Sequence, residues 1–332
     1  MESLLNPNVW DSINKRCITT ERGQKDGEDH KLKFGSSYML DRRSTLFAAH
    51  TAELDAGKET SFFGVFDGRG GNSVALFCAH FVYKETMELV RDSGNDDLAE
   101  AIKKSFARVD EKMKWPGTWI KLQNLKGVWQ NIPKKPNNWM GPLFEGSTAC
   151  VAALRKNELI VGNVGDSRCV LSRNKQAIDL SLDHKPELAA ERDRILQAGG
   201  NFDDGKVDGR LRYSRGIGFM YYKQDEHLPA EQQIITCVPD INKIDIINED
   251  EFLILASNAI WNHMTSQQLV DFVHENINNE CRLSGLCKKV LDICVSPDDM
   301  LQGYGLESGR VMILVQFKKH DQLPAASSSL ST

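Results

Sequence analysis

Eight cysteines, Cys17, Cys78, Cys150, Cys169, Cys237, Cys281, Cys287 and Cys294, offer this chain its most versatile side-chain chemistry. A structural zinc site needs closely paired thiolate or imidazole ligands, and none of these residues forms C-x-x-C. Several sit instead inside apolar runs, ACVAAL, RCVL and LDICV. That placement predicts buried free thiols of an intracellular protein. Two aspartates stand beside glycine at the edge of apolar runs. Asp67-Gly68 closes the run SFFGVF over 61–66 and reads as a turn that stops a buried strand. Gly165-Asp166 separates two further apolar runs and reads either as a hairpin turn or as a carboxylate held out for a ligand.

The charge balance of the 332 residues narrows the classes of partner. Lys plus Arg number 41 and Asp plus Glu 46, a formal charge of −5. Such mild acidity gives no electrostatic case for binding nucleic acid or an anionic membrane. With 41% hydrophobic and 26% charged residues the composition is that of a globular protein. No stretch approaches the ~18 apolar residues of a membrane span. The opening MESLLNPNVWDS lacks the pattern of a signal peptide, and Glu2 stands where myristoylation needs glycine. Together these predict an intracellular, cytoplasmic or nuclear protein.

The elements that must position any site follow from periodicity. Apolar residues at helical spacing predict helices over 72–90 and 97–113, the first capped by Asn72 or Ser73. From Thr148, the runs TACVAAL, ELIVGNV, RCVLS and AIDLS alternate with RKN, GDS and RNKQ, which predicts an antiparallel meander of hairpins. A helix is expected over 186–198, with Pro186 in its first turn and Gly199-Gly200 at its end. A buried strand follows at 251–257, then helices over 266–278 and 283–295, and a final strand at 311–317. Between about 114 and 145, Trp115, Trp119, Trp129 and Trp139 mix with four prolines, which predicts a loop insertion packed on the surface or a partner-binding patch. Residues 1–24 read as a loose arm, 25–318 as one domain, and 319–332 as a disordered Ser-rich tail. The class is α+β, an antiparallel β-sandwich flanked by helical layers.

FFGVFDGRGG, GSTACVAAL, VGNVGDSRCVLS, DHKPELAAERDRILQAGG, GRLRYSRGIG and EFLILASNAIW occur in that order. The series resembles the metal-dependent Ser/Thr phosphatases of type 2C over nearly the whole chain. The DGEDHKLKFG opening and the Trp-bearing insertion are most similar to a plant branch. The resemblance implies paired antiparallel sheets between helical layers and hydrolysis of phosphoserine and phosphothreonine. It also implies two Mg²⁺ or Mn²⁺ ions held by a carboxylate cluster, a phosphate-binding arginine and a proton-donating histidine.

Carried over position by position, that resemblance places the phosphate-binding arginine on Arg43, which survives, and the following acidic pair on Phe47 and Ala48. The bridging aspartate and ligating glycine carbonyl fall on Asp67 and Gly68, and the histidine on Arg69, whose guanidinium cannot cycle a proton near neutral pH. Further metal aspartates fall on Asn258 and Ser308, with other acids on Asn262 and Phe219, and Arg310 is expected to put a cation nearby. Asp166 survives as a possible ligand. Of the five central positions 47, 48, 67, 258 and 308, only Asp67 is an acid. The expectation is an inactive relative with no bound metal. Asp67 would pair with Arg69 or Arg43, and the protein would act by binding a phosphoprotein or another protein partner. The alternative is a weak, one-metal phosphatase using Asp67, Asp166 and Asn258.

Overall fold

The computed structural model describes residues 21–40, 48–92, 96–115, 118, 141–277, 282–294 and 309–318. Two antiparallel sheets face each other. The first contains β1 (Glu21–Glu28), β2 (Leu32–Leu40), β15 (Arg310–Phe317), β14 (Asp250–Ala256), β8 (Arg168–Arg173) and β9 (Gln176–Asp179), in that spatial order. The second runs β12 (Ile217–Gly218), β5 (Gly146–Ser147), β4 (Thr60–Arg69), β6 (Ala149–Arg155), β7 (Glu158–Val164) and β13 (Asp240–Asp245), with β3 (Ala48–Glu53) also paired to β4. A small hairpin, β10 (Phe202–Asp203) and β11 (Lys206–Val207), lies apart.

Strand alternation divides the core into layers. On β4, Phe63 and Val65 point inward, where they meet Phe34, Leu171, Leu253 and Ile313 from the first sheet. Phe62 and Phe66 point outward under α1 (Ser73–Asp92) and α2 (Leu98–Lys112), against Cys78, Ile102 and Phe106. On β15, Val311, Ile313 and Val315 face the other sheet, while Met312 and Leu314 face α5 (Ser266–Asn276) and α6 (Leu283–Ile293). The helix ends are chemically defined. The Asp97 side chain accepts from the amides of Ala99 and Glu100, and Thr265 and Gln268 form a reciprocal capping box. The α+β sandwich expected from the sequence is the observed architecture.

Several local expectations change. β1 starts at Glu21, inside the stretch read as an arm, because 21–28 pair with 33–40 along a full antiparallel ladder. The meander is not a run of hairpins. β7 pairs with β6 and β13, whereas β8 pairs with β14 and β9, so Gly165–Ser167 crosses from one sheet to the other. Pro186 precedes its helix, since α3 (Ala189–Gln197) starts after Leu188. Glycine does end that helix: Gly199, at φ +78°, and Gly200 donate to Leu196 and Ile195. Of the tryptophan insertion, the described Trp115 is 64% exposed, and Trp119, Trp129 and Trp139 lie outside the described residues. No described helix is long and apolar enough to cross a membrane. Cys78, Cys150, Cys169, Cys237, Cys287 and Cys294 are buried free thiols, as expected; Cys17 and Cys281 lie outside the described residues.

Candidate functional site

Asp67 is delivered by β4, whose inward positions 63, 65 and 67 share one face of the strand. Its residue is 1% exposed. The β3–β4 register sets Ala48 directly across from it. The Gly309 amide, just before β15, donates to the Asp67 carboxylate. A Cβ at Gly309 would lie 2.3 Å from the Ala48 nitrogen, so only glycine allows this approach.

Asp166 reaches the same place through the crossover between sheets. Thr148 ties the two together. Its amide donates to the Asp67 carbonyl at 3.0 Å, and its hydroxyl accepts from the Asp67 amide at 3.3 Å and meets Ser167 Oγ at 2.9 Å. His184 secures the crossover from the other side. The Gly165 amide donates to His184 Nδ1 at 3.1 Å, which leaves the proton on Nε2 to donate to Asp240 at 3.1 Å. This places Lys185 Nζ 3.0 Å from Asp166 Oδ2.

The electrostatics follow from this burial. Loss of water, with Asp166 adding repulsion, pushes the Asp67 carboxyl up to about 7 against the pull of the Arg69 charge and the Gly309 amide. Asp67 Oδ1 has no hydrogen-bond partner among the described residues. Arg69, at the end of β4, acts on Asp67 through its charge. Arg43, Phe47 and Ser308 lie outside the described residues.

The other sequence-derived positions separate. Asn258 is buried and opens the short α4 (Asn258–Trp261), next to Ser257, whose hydroxyl donates to the Gly309 carbonyl. Asn262 caps that helix and is exposed. Phe219 is 1% exposed and adopts a left-handed conformation at φ 55°. Its ring packs 5.7 Å from that of Tyr213 and fills the space over Gly146. Arg310 does not reach the Asp67 side. Strand alternation puts it with Met312 and Leu314 on the helix-facing side of β15, where its charge acts on Cys294. Gly68 is buried and pairs with Ser147.

Two residues of the site escaped the sequence reading. Lys185 is drawn in by the DHKP turn, whose packing against the crossover is a long-range property. Tyr213 is buried, and its hydroxyl lies within electrostatic reach of Arg69, Asp166 and Asp67, with burial pushing its phenol well above the usual range. Among the described residues, no three His, Cys, Asp or Glu side chains converge as a metal-binding group.

Comparison with known proteins gives the family of this fold. Residues 32–300 match the family profile "Protein phosphatase 2C". The chain is 46% identical to "Probable protein phosphatase 2C 58" of Oryza sativa subsp. japonica, over 90% of this chain and 88% of that one. It is 42% identical to "Probable protein phosphatase 2C 60" of Arabidopsis thaliana, covering 90% of each. Among solved structures, the serine-threonine phosphatase 2C from Toxoplasma gondii superposes with a TM-score of 0.68 at 18% identity, over 91% of this chain and all of that one, a likeness of fold. The chain therefore belongs to the protein phosphatase 2C family, with plant proteins among its relatives.

Proposed function

We propose that this protein is a phosphatase 2C relative that binds a phosphoprotein without hydrolysing it. The observation that carries the reading is Ala48 standing opposite Asp67 while Lys185 neutralises Asp166. A pair of divalent cations needs several oxygen ligands of negative charge between them. Here Asp67 has an alanine across the ladder, Asp166 carries a lysine, and Arg69 adds positive charge. That donor set does not fit two ions. At the proton-donor position Arg69 stays charged, which suits holding a phosphate and not protonating a leaving group. Arg43, retained in the sequence, is the second phosphate-binding candidate. The buried free thiols agree with an intracellular location, cytoplasmic or nuclear.

A one-ion phosphatase using Asp67, Asp166 and Asn258 is the second reading, favoured by the Asp67 Oδ1, which has no hydrogen-bond partner among the described residues. Calorimetric titration with Mn²⁺ and Mg²⁺, alongside turnover of a phosphothreonine peptide, separates the two. The binding reading expects no turnover and phosphopeptide affinity that disappears in Arg43→Ala. Turnover that requires metal and is abolished by Asp67→Ala would sink it.

A further inference from the structure

On the far side of α2 lies a cavity of about 380 Å³ that shares no residue with the Asp67 site. One wall is formed by Ala107 and Glu111, one turn apart on α2, and by Lys114 just past the end of that helix. The opposite wall is the segment from Lys223 through Asp225, Glu226 and Leu228. This wall is built rather than draped. The Gln233 side chain, 7% exposed, donates to the carbonyls of Asp225 at 2.6 Å and Leu228 at 2.8 Å from beneath.

The charges of the cavity do not cancel. Lys223 is spent on Asp110 at 2.6 Å and on the Gly216 carbonyl at 2.9 Å. Lys114 is spent on Glu111 at 2.7 Å. That leaves Asp225 and Glu226, both exposed at the rim and without an ion pair among the described residues. Ala107 and Leu228 line the walls with apolar surface. Apolar surface from Ala107, Leu228 and Ala230 beside two carboxylates without a cationic partner among the described residues matches a side chain with an aliphatic stem and a cationic head.

We propose that this cavity docks an arginine or lysine side chain from an exposed basic segment of a partner protein. The stem lies along Leu228 and Ala107, and the head meets Asp225 and Glu226. The site stands apart from the phosphate-binding reading and holds whether or not that reading does.

The test uses the full chain and a fluorescein-labelled peptide with two adjacent arginines, followed by anisotropy. The reference peptide carries citrulline, the uncharged isostere, at both places. Saturable binding of the arginine peptide is expected, weaker by about tenfold for the citrulline peptide and for the Asp225→Asn/Glu226→Gln protein. Affinity should also fall as salt rises. Asp203→Asn/Asp204→Asn removes the same charge from an exposed turn and is expected to bind as the unaltered protein does. Equal affinity in the Asp225/Glu226 variant, an equal loss in the Asp203/Asp204 variant, or no saturable binding by the unaltered protein would overturn the proposal. Residues 119–140 carry Lys121, Lys126, Lys134 and Lys135 and no acid. Binding that appears only after all four are changed to glutamine would assign the cavity to the chain's own lysines and likewise overturn the partner assignment.

Discussion

Ala48 and Asp67 are direct cross-strand neighbours on β3 and β4, and both are almost wholly buried. Residues so paired have Cβ atoms ~5 Å apart, and like charges in that relation repel. Ala48→Asp is therefore expected to destabilise the protein by about 2 kcal/mol or more in chelator, measured as a lower urea midpoint. An unchanged midpoint would show that the pocket already accommodates a second acid.

Thr148 links three things at once: the main chain of Asp67, the crossover residue Ser167 and the start of β6. Thr148→Val keeps the shape and removes the hydroxyl. It leaves the Asp67 amide without that acceptor in a buried site, at a cost of about 1–2 kcal/mol. Thermal melting checks the size. Hydrogen exchange of the Asp67 amide checks the cause, since that amide should exchange faster than its β4 neighbours.

Glu191 sits under two arginines. Burial alone would raise its carboxyl. Hydrogen bonds from Arg215 and Ser214 and the charge of Arg194 outweigh that and hold it down at about 2. A carboxyl lower in the folded than in the unfolded state stabilises above its ordinary value of 4.5, and that contribution is lost as pH falls toward about 2. Glu191→Gln is thus expected to be less stable than the unaltered protein by a few kcal/mol at pH 7, with the gap closing as pH drops from about 4.5 to about 2. Urea midpoints across that range test the sign. A gap that stays constant with pH would mean that Glu191 contributes packing and not charge.

How much the sequence disclosed depended on the range of the interaction. α1, α2, α5 and α6 and the strands β4, β6, β7, β14 and β15 carry their own period, so their positions were readable to within a few residues. β1 was not, because ERGQKDGE is polar and becomes a strand only by pairing with β2. The Gly165–Ser167 link looked like a hairpin because chain spacing carries no record of which sheet the next strand joins. At the site, Asp67 and Asp166 stood out as residue types. Lys185 and Tyr213 did not, since a lysine in a polar turn and a tyrosine in a basic stretch gain meaning only from what packs around them. Arg310 shows the converse. Its sequence position suggested a neighbour of Asp67, and a single step of strand alternation turned it to the opposite side.

The approach of Gly309 to Ala48 bears on the chain's possible histories. A side chain at 309 and a longer one at 48 would compete for one small volume. Position 309 cannot enlarge without moving Ala48 or the start of β15, which also holds the Gly309 amide against Asp67. Any lineage placing a side chain at position 309 would have to shift the backbone of Ala48 or of β15 first. At position 309 the short route by single substitution is closed, so that corner of the site behaves as a ratchet.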